Sequence, residues 1–98
     1  MKFEISSEAH LDILDAMEFY ERSAGIEIAA DFYAEFRQKA DQIASRPSSF
    51  PFHIKSYRRA NLYRFPYSLL FRVIDDTTVR IIAVRHDRRH PSFGTHRT

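Results

Sequence analysis

The chain opens with a strict two-residue alternation. Lys2-Phe3-Glu4-Ile5-Ser6 predicts a short strand over residues 2–6. The period then lengthens. His10, Ile13, Leu14, Met17 and Tyr20 recur at helical spacing, and Glu8, Asp12, Asp15 and Glu18 fill the opposite face. Ser6 and Ser7 can cap this helix, and Glu8 falls in its first turn, where the helix dipole favours acid. Gly25 interrupts the pattern. A second helix follows with the stripe Ala29, Phe32, Tyr33, Phe36, Ala40 and Ile43, and Arg46-Pro47-Ser48-Ser49 stops it. With so short a connection, the helices should form an antiparallel hairpin.

Beyond Pro47 the spacing is that of strands. Residues 55–64 predict one strand with an irregular centre at Ala60-Asn61, and Pro66 marks a turn or bulge. Tyr67 to Ile74 is apolar apart from Ser68 and Arg72. Asp75-Asp76-Thr77 is a turn, so this strand and the next form a hairpin. Val79 to Val84 is almost continuously apolar, as in a central strand covered on both faces. The order is β-α-α-β-β-β, an α+β domain. The helical hairpin should pack on one face of a small, mostly antiparallel sheet, with strand one paired to a later strand. The other face is left with much of the basic charge. Residues 1–98 form a single domain, with 91–98 an irregular tail.

Charge adds what hydropathy does not show. Residues 1–45 hold four Lys/Arg against ten Asp/Glu, a net of −6, whereas residues 46–98 hold eleven against three, a net of +8. Four of the five histidines lie in the basic half, which ends in Arg85-His86-Asp87-Arg88-Arg89-His90-Pro91. Such polarity points to a polyanionic partner, an acidic protein partner, or both. There is no cysteine, which excludes disulfides and thiolate metal sites and is consistent with a reducing cytoplasm. The start of the chain is a strand and not a signal peptide, and no apolar run approaches membrane-spanning length.

Three segments carry a family likeness: Ser7-Glu8-Ala9 at the first helix, Arg64-Phe65-Pro66-Tyr67-Ser68-Leu69-Leu70-Phe71-Arg72-Val73, and Val79 through Pro91. Together they resemble the RelE/ParE toxins of bacterial type II toxin–antitoxin systems over nearly the whole chain. The resemblance implies a growth-arresting toxin, wrapped and neutralised by a cognate antitoxin. It also implies that promoter DNA is reached only through the antitoxin. Two targets are implied as alternatives. RelE-like members cleave mRNA on the translating ribosome; ParE-like members poison DNA gyrase without covalent chemistry. Neither requires a cofactor or a membrane. RelE-like nucleases use several Lys and Arg with a Tyr or His near the C-terminus. Here the second half holds one Lys, and no Tyr follows Tyr67, which tips the reading toward ParE.

Metal-free RNA cleavage needs a base for the 2′-hydroxyl, cations for the pentacovalent phosphate and an acid for the leaving oxygen. His86 is the candidate base or acid, with Arg85, Arg64 and Arg59 as clamps. For a target or nucleic-acid contact surface the candidates are Lys55, Arg58, Arg59, Arg88, Arg89 and His90. The same residues admit plainer roles. His86 lies two residues beyond Val84 on the same strand face and can cap the core, Arg88-Arg89 can be a solvated turn, and Arg72 and Arg80 can meet helix carboxylates. His86 and His90 have helical ligand spacing but sit at a strand exit before proline, so no metal site is expected. Phe50-Pro51-Phe52 must either tuck under the sheet or form an apolar patch.

Overall fold

The computed structural model describes all 98 residues. Strand β1 (Lys2–Ile5) leads into helices α1 (Ser7–Ala24) and α2 (Ile26–Ser45) and a short 3-10 turn, Pro47–Ser49. Strands β2 (Phe52–Ile54), β3 (Tyr57–Asn61), β4 (Tyr67–Val73) and β5 (Thr78–His86) follow. The sheet order is β1-β5-β4-β3-β2, with β1 parallel to β5 and every other pair antiparallel. The strand expected over 55–64 is β3, which is shorter, and β2 precedes it as a strand the sequence reading did not expect. Lys55, at φ 56°, turns the chain between β2 and β3, a left-handed conformation that alternation alone does not announce.

The helices start and stop where local chemistry requires. Ser6 caps α1, its hydroxyl accepting the Ala9 amide at 3.1 Å. Gly25 at φ 99° both ends α1 and begins α2, so one residue makes the hairpin turn. The buried stripes are Ala9, Ile13 and Ala16 on α1, and Ala29, Phe32, Phe36, Ala40 and Ile43 on α2. They pack on Leu69, Phe71, Val79, Ile81 and Val84. Each fully buried Phe or Leu here contributes roughly 1.5–3 kcal/mol. Tyr20, Phe32, Phe65 and Tyr67 join this layer as an aromatic cluster with mostly edge-to-face rings.

Three expectations for the helices need correction. His10 and Leu14 face outward, because α1 is rotated to bring Ala9 and Ala16 onto the sheet. Tyr33 lies at the rim of the α2 stripe and stays exposed. Asp12, placed on the solvent face by spacing, turns inward instead. Strand β1 pairs with β5 only as far as Ile81. Beyond it, side chains occupy the free edge of β5. Ser6 Oγ and Arg97 Nη1 donate to the Ile82 carbonyl at 3.3 and 3.2 Å, and Asp12 Oδ2 accepts the Val84 amide at 3.0 Å. The open edge is closed by three polar groups that would otherwise be solvated.

The second sheet face is not simply a basic exterior. Residues 91–98 run across it as successive turns. Gly94 sits so close that a Cβ there would lie 2.6 Å from the Ala83 Cβ. Tyr57 Oη donates to the Arg97 carbonyl at 2.6 Å, Arg80 Nη1 to the Thr98 carbonyl at 2.8 Å, and His53 Nε2 to the Pro91 carbonyl at 2.8 Å. Beneath this strap Leu70, Ala83 and Tyr57 are buried apart from the main core.

The β4–β5 turn carries its own pH dependence. The Asp75 carboxylate accepts the Thr77 amide at 2.8 Å and the Thr77 hydroxyl at 3.0 Å, which holds its pKa below the ordinary aspartate value. A depressed folded-state pKa contributes stability above the unfolded pKa and loses it as the pH falls through the folded value. Asp75→Ala is therefore expected to lower the thermal midpoint at pH 7, and the gap to the parent should close as the pH falls below the ordinary aspartate pKa and through the depressed folded value. Thermal melts across pH check this; a gap of equal size at pH 7 and at the acid end would contradict it.

Candidate functional site

Adjacent residues on a strand point to opposite faces, and this divides the expected site residues. Tyr67 pairs with His86 and Leu69 with Val84, all on the helix side. Ser68 pairs with Arg85 and Arg59 with Leu70, on the strap side. His86 and Arg85 therefore diverge, as do Arg58 and Arg59. The set His86, Arg85, Arg64 and Arg59 does not converge on one point.

Each member has local partners that explain its position. His86 stacks edge-on against Tyr67, with ring centroids 5.0 Å apart, and its Nδ1 accepts the Arg88 amide at 3.0 Å. A backbone N–H cannot accept, so Nδ1 carries the lone pair and the neutral ring bears its proton on Nε2. The lone pair that a general base would use is already engaged. Arg85 is only 7% exposed, and its Nη1 donates to the Arg89 carbonyl at 2.9 Å, tying down the turn that follows β5. Arg64 is held by Asp31 of α2 at 2.9 Å and lies over the Phe65 ring. Arg59 lies on the strap side near Ser68 and Asn61, which are joined by a 2.8 Å hydrogen bond. The Nε atoms of Arg59 and Arg85 are buried without hydrogen-bond partners.

The contact-surface candidates are also dispersed. Arg58 lies on the helix side, its guanidinium 3.9 Å from the Phe52 ring centroid and donating to the Phe50 carbonyl at 2.6 Å. Lys55 is exposed at the β2–β3 turn. Arg88, Arg89 and His90 are exposed at the other end of the sheet, after β5. His90 Nδ1 accepts the Ser92 amide at 3.1 Å, which starts the strap. No group of three His, Asp or Glu side chains is placed to hold a metal ion. No helix is long and apolar enough to cross a membrane.

The charge split is partly consumed inside the molecule. Arg64–Asp31, Arg80–Glu4 and Arg97 with Glu8 and Asp12 all join the basic half to the acidic half. The other eight of the eleven basic-half cations, Arg88 and Arg89 among them, have no carboxylate within 4.0 Å.

Sequence reading did not single out the exposed Tyr63 and Phe19. Tyr63 is 98% exposed, yet its turn is fixed, because the Glu35 carboxylate accepts the Tyr63 amide and also the Arg64 amide, the latter at 3.1 Å. The Phe50-Pro51-Phe52 segment divides: Phe50 packs on Phe71 at a 5.8 Å centroid distance, and Phe52 stays 60% exposed. A cleft of about 290 Å³ opens between α1, the end of β5 and the strap, lined among others by Asp15, Phe19, Tyr67, His86, Arg89 and Phe93. Burial raises the Tyr67 pKa and the neighbouring Tyr20 raises it further; Arg89 opposes the shift and Asp15 adds to it. The phenol stays protonated between those two charges. Alternation places Tyr67 and His86 on one face, but nothing in the sequence places Phe19 or Phe93 beside them.

Two helices on one face of this mixed sheet, with the first strand parallel to the last, define the class: the chain has the fold of a solved structure described as the chromosomal ParDE TA system from P. aeruginosa. The TM-score is 0.78 at 19% identity, over 88% of this chain and 95% of that one. The family described as the ParE toxin of the type II toxin–antitoxin system parDE matches residues 3–91, and the chain belongs to that family. No curated protein matches the sequence.

Proposed function

We propose that this chain arrests growth by binding DNA gyrase as a protein ligand, without RNA chemistry of its own, and that a cognate antitoxin neutralises it in the cytoplasm. The observation that carries this reading is the dispersal of the catalytic candidates. His86 has its lone pair engaged on the helix side, Arg85 and Arg59 lie across the sheet, and Arg64 is neutralised by Asp31. A binding protein needs no such convergence. It needs an exposed surface, and Arg88 and Arg89, exposed and without a carboxylate partner, offer cationic groups for one. An acidic, amphipathic antitoxin segment would neutralise the same groups.

Purified chain at stoichiometric excess is expected to inhibit plasmid supercoiling by gyrase; untouched supercoiling rejects the proposal. The combined reversal Arg88→Glu and Arg89→Glu should weaken antitoxin binding about tenfold or more at low salt, with the difference shrinking as salt rises. Titration calorimetry at two ionic strengths measures it, and an unchanged affinity counts against this surface. A second reading, a ribosome-dependent endoribonuclease, draws on one observation: Arg59 and Arg85 share a sheet face with Asn61 and Ser68. New codon-phased 5′ ends in sequenced transcripts, with normal supercoiling in the same culture, would favour it.

A further inference from the structure

The cleft between α1 and the end of β5 holds two opposite charges that do not meet. Asp12 at its edge is committed to Arg97 and to the Val84 amide. Asp15, one turn further along, has neither an ion pair within 4.0 Å nor a hydrogen bond to any group of the chain. Arg89 lines the same cleft, and its guanidinium likewise lacks a carboxylate, resting over the Phe93 ring at 5.0 Å. The same cleft is lined by aromatic rings: Phe19, which is 58% exposed, and Tyr67 with His86 edge-on to it. The Nε2 of His86 carries a proton, because Nδ1 is occupied by the Arg88 amide. The lining thus combines a free carboxylate acceptor, N–H donors from Arg89 and His86, and an exposed aromatic ring.

We infer that this cleft binds a guanine base, presented by a free nucleotide or by an unpaired position in a nucleic-acid strand. Guanine is the base that shows two adjacent donors, N1–H and N2–H₂, which match the two oxygens of a carboxylate such as Asp15. Its O6 and N7 are acceptors on the adjoining edge and suit the guanidinium of Arg89 and the imidazole N–H of His86. Adenine and cytosine set a lone pair beside their amino donor, which a carboxylate repels. Uracil and thymine flank their single donor with two carbonyls. Bases taken out of a helix stack on aromatic side chains, which the exposed Phe19 supplies, while Phe93 already carries the guanidinium of Arg89. Arg88 and His90, exposed next to the cleft, are suited to the attached phosphate. The site is independent of the gyrase proposal: failure in the supercoiling assay leaves it standing, and its failure leaves that assay untouched.

The test is a titration of the full ¹⁵N-labelled chain, followed by NMR, with each of the four nucleoside 5′-monophosphates, inorganic phosphate, and a short single-stranded DNA with or without one guanine. GMP should shift the amides of residues 15–19 and 86–93 and bind at least about tenfold more tightly than CMP or UMP. Asp15→Asn should remove that preference, because an amide presents a donor where the base also presents one. Phe19→Ala should weaken binding of every base. Both side chains are exposed, so neither variant is expected to unfold the chain. If GMP alone binds, the source is a free nucleotide; if the guanine-containing strand binds at least as tightly, the source is a strand. Equal shifts from all four nucleotides or from phosphate alone, a preference that survives Asp15→Asn, or no shift at the cleft would overturn the inference.

Discussion

Gly94→Ala is expected to destabilise the chain by about 2–4 kcal/mol, combining a left-handed backbone imposed on a residue with a Cβ and an overpacked contact. Gly94 has φ 80°, and its added Cβ would sit 2.6 Å from that of Ala83, on a strand buried on both faces. For a domain of this size the loss corresponds to a fall of roughly 10–25 °C in the thermal midpoint. The strap can also peel away instead, which limits the fall to the strap's own docking energy. In that case the amides of residues 93–97 lose hydrogen-exchange protection while those of β4 and β5 keep theirs. Ala83→Gly in the same background should recover the part due to overlap and not the part due to φ. A midpoint within about 2 °C of the parent, with the strap still protected, would show that Gly94 is not the pin of this layer.

Asp12→Ala is the second large effect, expected at about 3–5 kcal/mol. Asp12 is the one carboxylate of α1 that is buried against the sheet. It accepts the Val84 amide at 3.0 Å and Arg97 Nη1 at 2.7 Å, with side-chain exposures of 12% for Asp12 and 16% for Arg97. Its removal leaves the strand amide unpaired and leaves the mostly buried Arg97 guanidinium with only the exposed Glu8 carboxylate at 3.4 Å. Asp12→Asn keeps an acceptor for Val84 and should cost visibly less. Arg97→Met should be milder again, because Asp12 retains the amide and some solvent. The ordering of the three variants in urea unfolding is the check. Added salt should change it little, since the pair is shielded from solvent. Equal, small losses for all three would mean that the contact is a surface ion pair of ordinary value.

The helices, the central strand and the Asp75 turn were legible because each is written in a period or in local turn chemistry. The α2 stripe of Phe32, Phe36, Ala40 and Ile43 is buried as its spacing requires. The division of Arg58 from Arg59 and of Arg85 from His86 was legible too, since a strand sends neighbours to opposite faces. Grouping them as one basic cluster set that rule aside. Four features could not be read. The inward turn of Asp12 answers to an unpaired amide on β5, far away in the chain. The β2 strand depends on Lys55 accepting a positive φ. The strap looks like a polar tail because it binds through backbone carbonyls and through the absence of a side chain at Gly94. The cleft lies where α1, β5 and the strap meet, and no linear motif encodes that meeting.

The parallel pairing of β1 with β5 has a consequence for the timing of synthesis. Lys2 finds its partner at Thr78, and the edge of β5 is finished by Ser6 and Asp12 from the start of the chain. The first strand made must wait for the last. While translation proceeds, the helical hairpin can form but has only part of its sheet to rest on, and long-range closures of this kind are slow. The chain therefore cannot complete its sheet until β5, which ends at His86, has been made. Up to that moment the sheet lacks the strand between β1 and β4, and the apolar stripes of α1 and α2 lack the β5 residues Val79, Ile81 and Val84 they rest on.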